Sequence, residues 1–468
     1  MKKILILSSI FLASCSKEDF EISPTAEVQN SSNYDPLSFP GYKVSPAAKS
    51  LGVEYWRNLP VMSDLMIPIF QKGINKLPDG TYDYASMCGN TCLGDFNNDG
   101  WVDIFNPGQA MRGKAANLAF LIWNPSQKIF EEKNLLSCKS DFIGGPTASM
   151  AVYLNSDNYV DVVIFGHIDE GLAHDGQNPP NEPVTLCLSN GSGGYELVRL
   201  TLEPSNLSSM FTHEGGDLGD ANGDGILDLL IVANSHSYIF WGRREYPYFS
   251  NLNFAHFASD TTNFRPNNSF GEVVPEGSGF AFIGKLLDIN RDGKKDFVIG
   301  TGESKSRGFQ HRFLSNFGNG RFTNSGVTKL PYNGISENLN INDFITDDIN
   351  SDGVNDIIGI NSNYGQDWNL VAYLGQRDGT FKIDNSLIKY TINSSDRKNW
   401  KKSLIYYDFN GDGKKDISYR DSGAMAKNRS DNDLKKKTVF IRSGNQFIET
   451  DFYSLDPFAK YLRYKYFN

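Results

Sequence analysis

A nine-residue pattern, D-x-N-x-D-G-x-x-D, recurs in phase along the chain and limits the fold more than any other feature. It starts at Asp95 (DFNNDGWVD), Asp220 (DANGDGILD), Asp288 (DINRDGKKD), Asp348 (DINSDGVND) and Asp408 (DFNGDGKKD). A worn copy starts at Tyr153 (YLNSDNYVD), with Tyr for the first Asp and Asn158 for the Gly. Successive starts lie 58, 67, 68, 60 and 60 residues apart. Recurrence at such a period marks a repeat architecture, each copy being one unit stacked on the next.

Carboxylates crowded this closely repel one another, and burial sharpens the repulsion, so the pattern calls for a cation among them. Positions 1, 3, 5 and 9 supply side-chain oxygens and the backbone carbonyl of position 7 adds another, a donor set suited to Ca²⁺. Gly at position 6 permits the positive φ that wraps the loop. The expected ligands are Asp95, Asn97, Asp99, Trp101 and Asp103 in the first loop. The later intact loops offer Asp220, Asn222, Asp224, Ile226 and Asp228, then Asp288, Asn290, Asp292, Lys294 and Asp296. Asp348, Asn350, Asp352, Val354 and Asp356 follow, then Asp408, Asn410, Asp412, Lys414 and Asp416. The worn copy retains Asn155, Asp157 and Asp161, and the spacing leaves open whether it binds.

An EF-hand starts similarly but needs Glu at position 12 and flanking helices. Position 12 here is Asn106, Ile231, Ile299, Gly359 or Tyr419. Short apolar runs such as DLLIV and DFVIG follow the loops and read as buried strands.

The loops, their period and Gly-rich lead-ins such as GGDLGD and GSGFAFIGKLLD resemble the FG-GAP or VCBS repeats of integrin-α-like β-propellers. A second recurring element, as in LSNFGNGRFTNS (314–325), LGQRDGTFKIDN (374–385) and LSNGSGGYELVR (188–199), matches the outer hairpin of such a blade. The resemblance covers about residues 85–450. It implies an all-β ring of four-stranded blades, with structural calcium between two strands of each. Closing the ring protects strand edges. Six loops require six blades, and residues 39–84 supply a degenerate seventh blade or a cap; the expectation carried forward is seven, with 85–468 as the repeat propeller.

Composition agrees. The 39% hydrophobic content of 468 residues suffices for a large core. Of 55 acidic residues, 17 lie in the loops (three in each of five copies, two in the worn one), so five bound Ca²⁺ would nearly cancel the formal charge of −10. That balance reflects metal sites and argues against a nucleic-acid partner.

The N-terminus, MKKILILSSIFLASC, has two lysines, an apolar run too short to span a bilayer and a Leu12-Ala13-Ser14-Cys15 lipobox, so residues 1–14 read as a lipoprotein signal. The resemblance implies lipidation at Cys15. The acidic Ser16–Glu21 stretch is similar to surface-export signals of Bacteroidetes lipoproteins, and 15–38 is a polar tether. The expected location is the outer membrane, facing outward.

Cys88, Cys92, Cys138 and Cys187 remain, with three pairings open and buried thiols the alternative. In an extended stretch Cys88 and Cys92 stand about 13 Å apart, beyond a bridge. No G-x-S-x-G or H-E-x-x-H occurs. Gly279–Leu286 fits G-x-x-x-x-G-K but lacks the Ser or Thr and the helix of a phosphate loop. The six histidines are scattered, with His167 and His174 in one loop. No catalytic residue is assigned.

Residues 167–184 and 240–270 lengthen their repeats and are expected to project from one face, where loops carry function. The second holds Trp241, Arg243, Arg244, Tyr246 and Tyr248; aromatic faces beside guanidinium forks suit sugars, acidic ones included. Trp101, Trp368 and Trp400 are weaker candidates. The expected function is a calcium-stabilised, surface-anchored protein binding an extracellular glycan or protein. The alternatives are a polysaccharide lyase and a structural subunit of an outer-membrane complex.

Overall fold

The computed structural model describes residues 41–59, 91–107, 109–111, 114–116, 118–137, 146–166, 184–200, 213–233, 236–250, 253–258, 274–275, 281–301, 311–332, 340–362, 368–390, 401–421 and 438–451. The expectations for the signal, tether and Cys15, and for Cys88, Cys138, His167, His174 and Trp400, fall outside these residues.

Each Asp loop ends on a strand because its ninth residue is followed by an apolar run. Asp103, Asp161, Asp228, Asp296, Asp356 and Asp416 each begin the second strand of a sheet. Blade 1 comprises Cys92–Gly94, Asp103–Asn106, Ala119–Asn124 and Ile129–Lys133. Blade 2 comprises Pro146–Val152, Asp161–Gly166, Val184–Ser189 and Tyr195–Leu200. Blade 3 has His213–Gly219, Asp228–Ala233, His236–Phe240 and Phe254–Ala258; blade 4 has Ala281–Leu287, Asp296–Thr301, Arg312–Asn316 and Phe322–Lys329. Blade 5 has Asn340–Asp347, Asp356–Ser362, Asn369–Gly375 and Phe381–Ile383; blade 6 has Lys401–Tyr407, Asp416–Asp421, Thr438–Ser443 and Gln446–Asp451. Neighbouring strands within each blade are antiparallel. Two-residue strands, Val274–Pro275 and Ile388–Lys389, cover the outer edges of blades 3 and 6 in parallel, which blunts an open edge.

First strands of consecutive blades touch, so they line the centre. Second strands are buried on both faces between blades: Ile104, Val162, Leu229, Phe297, Ile357 and Ile417 are fully covered. One apolar cluster joins blades 2 and 3, another blades 3 and 4, and two more join blades 4 with 5 and 5 with 6. The ring closes through a cluster that puts Ile405, Phe409 and Val439 of blade 6 with Ile104, Phe120 and Trp123 of blade 1. Cys92 and Cys187 are buried in that same cluster.

The described residues thus form a ring of six blades, not the seven expected. Residues 41–59 form two short helices, Ala48–Leu51 and Val53–Arg57, instead of strands. Their apolar residues Val53, Tyr55 and Trp56 are all buried, Tyr55 and Trp56 in the core of blades 1 and 2 and Val53 in that of blades 2 and 3. Arg57 extends inward. Its guanidinium pairs with Asp217 of blade 3 and lies 3.7 Å from the Met150 sulfur of blade 2. The second Asp217 oxygen accepts from the Leu286 N–H of blade 4 at 2.9 Å. Asp343 of blade 5 pairs with Lys285 of blade 4 at 3.1 Å and accepts from the Leu404 N–H of blade 6 at 2.7 Å. Lys285, the lysine of the phosphate-loop near match, is thus a buried ion-pair partner on a strand. Buried charges are tolerated only when paired and hydrogen-bonded like this.

His311 is fully buried beside Phe344, with ring centroids 6.3 Å apart. Burial, helped by the neighbouring Arg312 charge, pushes its imidazole down to about 3. The folded ring stays neutral where an unfolded His gains a proton, so stability falls as pH drops below the usual imidazole range. The loss between pH 7 and pH 5 is about 2 kcal/mol. Denaturant titrations of wild type and His311→Gln at both pH values should show the gap between the two proteins shrinking by that amount; parallel curves would refute it.

Candidate functional site

The five intact loops share one hydrogen-bond plan. In the first, Asp95 accepts from the N–H groups of Asp99 and Gly100, both at 2.9 Å. The Asn97 amide oxygen accepts from the same Asp99 N–H at 3.2 Å, and Asp99 accepts from the Trp101 N–H at 2.9 Å. The oxygens of positions 1 and 3 therefore meet at one N–H, while position 5 fixes the peptide of position 7. The same bonds recur in the loops at Asp220, Asp288, Asp348 and Asp408. Position 6 is a positive-φ glycine in all five, and position 4 is left-handed as well, at Asn98, Gly223, Arg291, Ser351 and Gly411.

Position 9 has an additional part that its spacing does not announce. One oxygen of Asp103 accepts from the Phe96 N–H at position 2, at 2.9 Å; the other accepts from the Trp123 N–H at the end of the third strand, at 2.8 Å. Every blade repeats this clamp, with partners on or just past the third strand at Ser189, Gly242, Asn316, Gly375 and Arg442. At Gly242 a side chain would meet the Leu227 carbonyl at 2.1 Å, and at Gly375 the Asn355 carbonyl at 2.3 Å, so those two backbones approach as only glycine allows. Position 2 was also unforeseen: Phe96, Ala221, Ile289, Ile349 and Phe409 are buried pegs under their loops. The apolar residue between the first Asp and the Asn was the available signal.

Adjacent blades hold the loops by their carbonyls. The Tyr195 hydroxyl lies 3.0 Å from the Phe96 carbonyl, and the Asn316 amide donates to Ala221 at 2.6 Å. Asn355 donates to the Asp288 carbonyl at 2.9 Å, and Arg442 to those of Asp348 and Ile349 at 3.1 and 2.9 Å.

Burial pushes the position-9 carboxyls up, against the pull of their N–H donors: Asp161, Asp296 and Asp416 to about 6, Asp228 to about 7. Asp95 also rises to about 6, from burial first and the Asp99 charge in addition. Among the described residues no three carboxylate, imidazole or thiol side chains already converge on one point. The loop carboxylates rest on backbone N–H groups instead. Each carboxylate oxygen so engaged keeps acceptor capacity, and the five intact loops offer an all-oxygen set of three carboxylates, one amide and one carbonyl, a fit for calcium.

The worn loop departs from this plan. Neither Ser156 nor Asn158 adopts the positive φ of positions 4 and 6. The Asn155 amide donates into the blade, to Asp161 at 3.3 Å and the Ser189 carbonyl at 3.0 Å, whereas Asn97 donates to Asp99 at 2.7 Å. Its residues do not fit the ion as the other five sets do.

Third strands end where the Asp loops lie, so the outer hairpins share the loop face. The hairpin after Phe240 is among them, whereas the second and third strands of blade 2 open toward residues 167–183 at the other sheet end. The two lengthened segments thus leave from opposite ends, correcting the expectation of one face. Trp241 is also corrected as a ligand residue. It is buried in the blade 3–4 core, 5% exposed, and Gly320 packs on its ring so closely that a side chain there would stand 2.5 Å away. Trp368 is likewise buried. Arg243 and Arg244 are exposed. Tyr246 is 61% exposed and meets the half-buried Tyr248 edge to face at 6.1 Å. The Arg243 N–H donates to the Tyr248 carbonyl at 2.9 Å, closing the turn.

Residues 348–419, from the start of the fifth loop through the sixth, match the FG-GAP-like repeat. Over 225 residues the chain is 22% identical to integrin alpha-V of Gallus gallus, covering 47% of this chain but only 20% of that protein. An Agrocybe aegerita protein described as specifically recognising non-reducing terminal N-acetylglucosamine is 16% identical over 77% of this chain and 79% of its own, with a TM-score of 0.47. The Pseudomonas aeruginosa periplasmic gluconolactonase is 11% identical over 81% and 84%, with a TM-score of 0.41.

The two carboxylate classes should separate by mutation. Asp348→Asn with Asp352→Asn removes two loop charges, the Asp348 side chain being 16% exposed and 3.4 Å from the Arg291 guanidinium, while each Asn keeps a carbonyl acceptor for the loop N–H groups. It should cost about 0.4 to 1.4 kcal/mol more in millimolar calcium than in EDTA. Asp356→Asn leaves a buried N–H without an acceptor, which should cost about 1 to 3 kcal/mol even in EDTA. Guanidinium unfolding with and without EDTA measures both; equal losses for the double variant in the two buffers would count against a cation in that loop.

Proposed function

We propose that this protein is a calcium-stabilised binding propeller held at the outer cell surface, with an extracellular glycan as ligand and a protein ligand as the second reading. The observation that carries it is the hairpin of Arg243, Arg244, Tyr246 and Tyr248. An exposed aromatic ring is braced by a second ring, flanked by two exposed guanidinium groups and rooted on a rigid blade. Such a pairing takes a sugar ring on its apolar face and a carboxylated substituent on the forks.

Calcium's part in this reading is structural. Extracellular modules bind at about 10⁻⁴ to 10⁻³ M, so free calcium at one to ten times Kd stabilises each loop by about 0.4 to 1.4 kcal/mol. Five loops then contribute about 2 to 7 kcal/mol, comparable with a domain's whole stability. The lipobox ending at Cys15 and the acidic stretch after it support an outer-membrane lipid anchor, which would expose the loops to environmental calcium.

The test is retention of the detergent-solubilised full chain on a panel of neutral and acidic polysaccharides in millimolar calcium, beside an Arg243→Ala/Tyr246→Ala variant. Retention on acidic polymers that falls roughly tenfold in the variant supports the reading, tenfold being about 1.4 kcal/mol of contact. Shortened, unsaturated products would replace it with a lyase. Absence of retention on every polymer would favour a protein ligand.

A further inference from the structure

The worn loop departs from the repeat at position 1, where Tyr153 replaces Asp, and at position 6, where Asn158 replaces Gly. One side chain from elsewhere in the chain meets both. The Lys49 ammonium donates to the Asn158 side-chain oxygen at 2.6 Å and lies 5.9 Å from the centroid of the Tyr153 ring. A cation over a tyrosine face at this distance is attracted by the ring quadrupole, and an amide oxygen is a good acceptor for an ammonium. The two departures are thus the two groups a lysine uses.

We propose that the 153–161 loop is a lysine site rather than a metal site, with Lys49 supplying the positive charge that calcium supplies in the other five loops. This rests on the calcium reading of those five. Three further features of the loop agree. Positions 4 and 6 lack the left-handed backbone that curls the intact loops. Asn155 has turned its amide to Asp161 and Ser189, away from position 5. Asp157 is half-buried, where Asp99, Asp224, Asp292, Asp352 and Asp412 are exposed. The clamp survives, with Asp161 accepting from the Leu154 and Ser189 N–H groups, both at 2.8 Å, and so do the bonds from the Asp157 N–H to the Asn155 amide oxygen at 3.1 Å and from the Tyr159 N–H to Asp157 at 2.8 Å.

The lysine also fastens something. Lys49 belongs to the helical segment that replaces a seventh blade. That segment pairs with the first loop as well, through the Val44 N–H on the Gly100 carbonyl and the Val102 N–H on the Tyr42 carbonyl, both at 2.9 Å. Lys43 lies 5.4 Å from the centroid of the Trp101 ring. The segment spans the first two loops and delivers Arg57 to Asp217 at the centre. A metal in the second loop would bring positive charge against Lys49, whereas a lysine there ties the segment to blade 2 at any calcium concentration.

Hydrogen exchange followed by mass spectrometry on the full chain tests this, comparing calcium with EDTA for wild type and Lys49→Met. Removing calcium should speed exchange roughly tenfold in the loops at Asp95, Asp220, Asp288, Asp348 and Asp408 and leave 153–161 unchanged. Lys49→Met should speed exchange in 153–161 in both buffers. Calcium-dependent protection of 153–161 in wild type, or no effect of Lys49→Met there, would overturn the proposal. If EDTA changes none of the intact loops, the calcium reading fails while the Lys49→Met comparison still decides whether the lysine holds this loop.

Discussion

Every blade is organised around one buried carboxylate. The position-9 aspartate opens the second strand, holds the start of its own loop with one oxygen and holds the end of the third strand with the other. Three pieces of chain that are far apart in sequence thereby meet at a group that hydrophobic burial alone would not keep ionised. Its N–H donors favour the charged form, whereas desolvation and the neighbouring loop carboxylates oppose it. The blade is therefore built on a carboxylate under electrostatic tension.

The same group links the Asp loops to the exposed hairpin of blade 3. Asp228 holds the N–H of Gly242, and residues 241–250 leave the sheet at that point. Arg243 is therefore one residue from a bond to the third loop. The covered Trp241 ring makes the root rigid, since the blade 4 hairpin closes over it at Gly320. Burial removes Trp241 from direct contact with a ligand yet gives it a positioning part, holding the exposed Tyr246 and its arginines on an unyielding base. Loop geometry and hairpin geometry are consequently two readings of one joint.

What was legible in the sequence follows from which contacts are local. The period of the Asp pattern and the apolar run after each copy located the first and second strands, because both depend on neighbours within a few residues. Hairpins such as LSNFGNGRFTNS were legible for the same reason, and Tyr195 and Phe322 do pack inward. The expected blade number was too high because residues 39–84 offer apolar surface enough for a blade, whereas the part described, 41–59, commits Val53, Tyr55 and Trp56 to two neighbouring cores from a short helix. The double use of the position-9 aspartate was hidden because its second partner lies 14 to 28 residues away. Trp241 was misread for a similar reason: the residue that covers its ring, Gly320, belongs to the next blade.

The seam of the ring shows why these joints matter. Blade 6 is completed by its own four strands and by Ile388–Lys389, so among the described residues no sheet spans the closure. Between blades 1 and 2, 3 and 4, 4 and 5, and 5 and 6, a side chain of one blade grips a loop carbonyl of its neighbour. At the seam the position-2 peg of the sixth loop, Phe409, enters the blade 1 core, and Tyr407 meets it edge to face at 5.5 Å. Apolar packing is less directional than a hydrogen bond, so the angle of closure there needs another constraint. Arg57 supplies one from the axis: its ion pair with Asp217, together with Asp217 to Leu286 and Lys285 to Asp343 to Leu404, runs through the inner strands of blades 3, 4, 5 and 6. The helix bearing Arg57 packs Trp56 into the blade 1 side of the same closure. A segment that adds no blade thus acts as a brace, joining the seam core to the charged inner strands opposite.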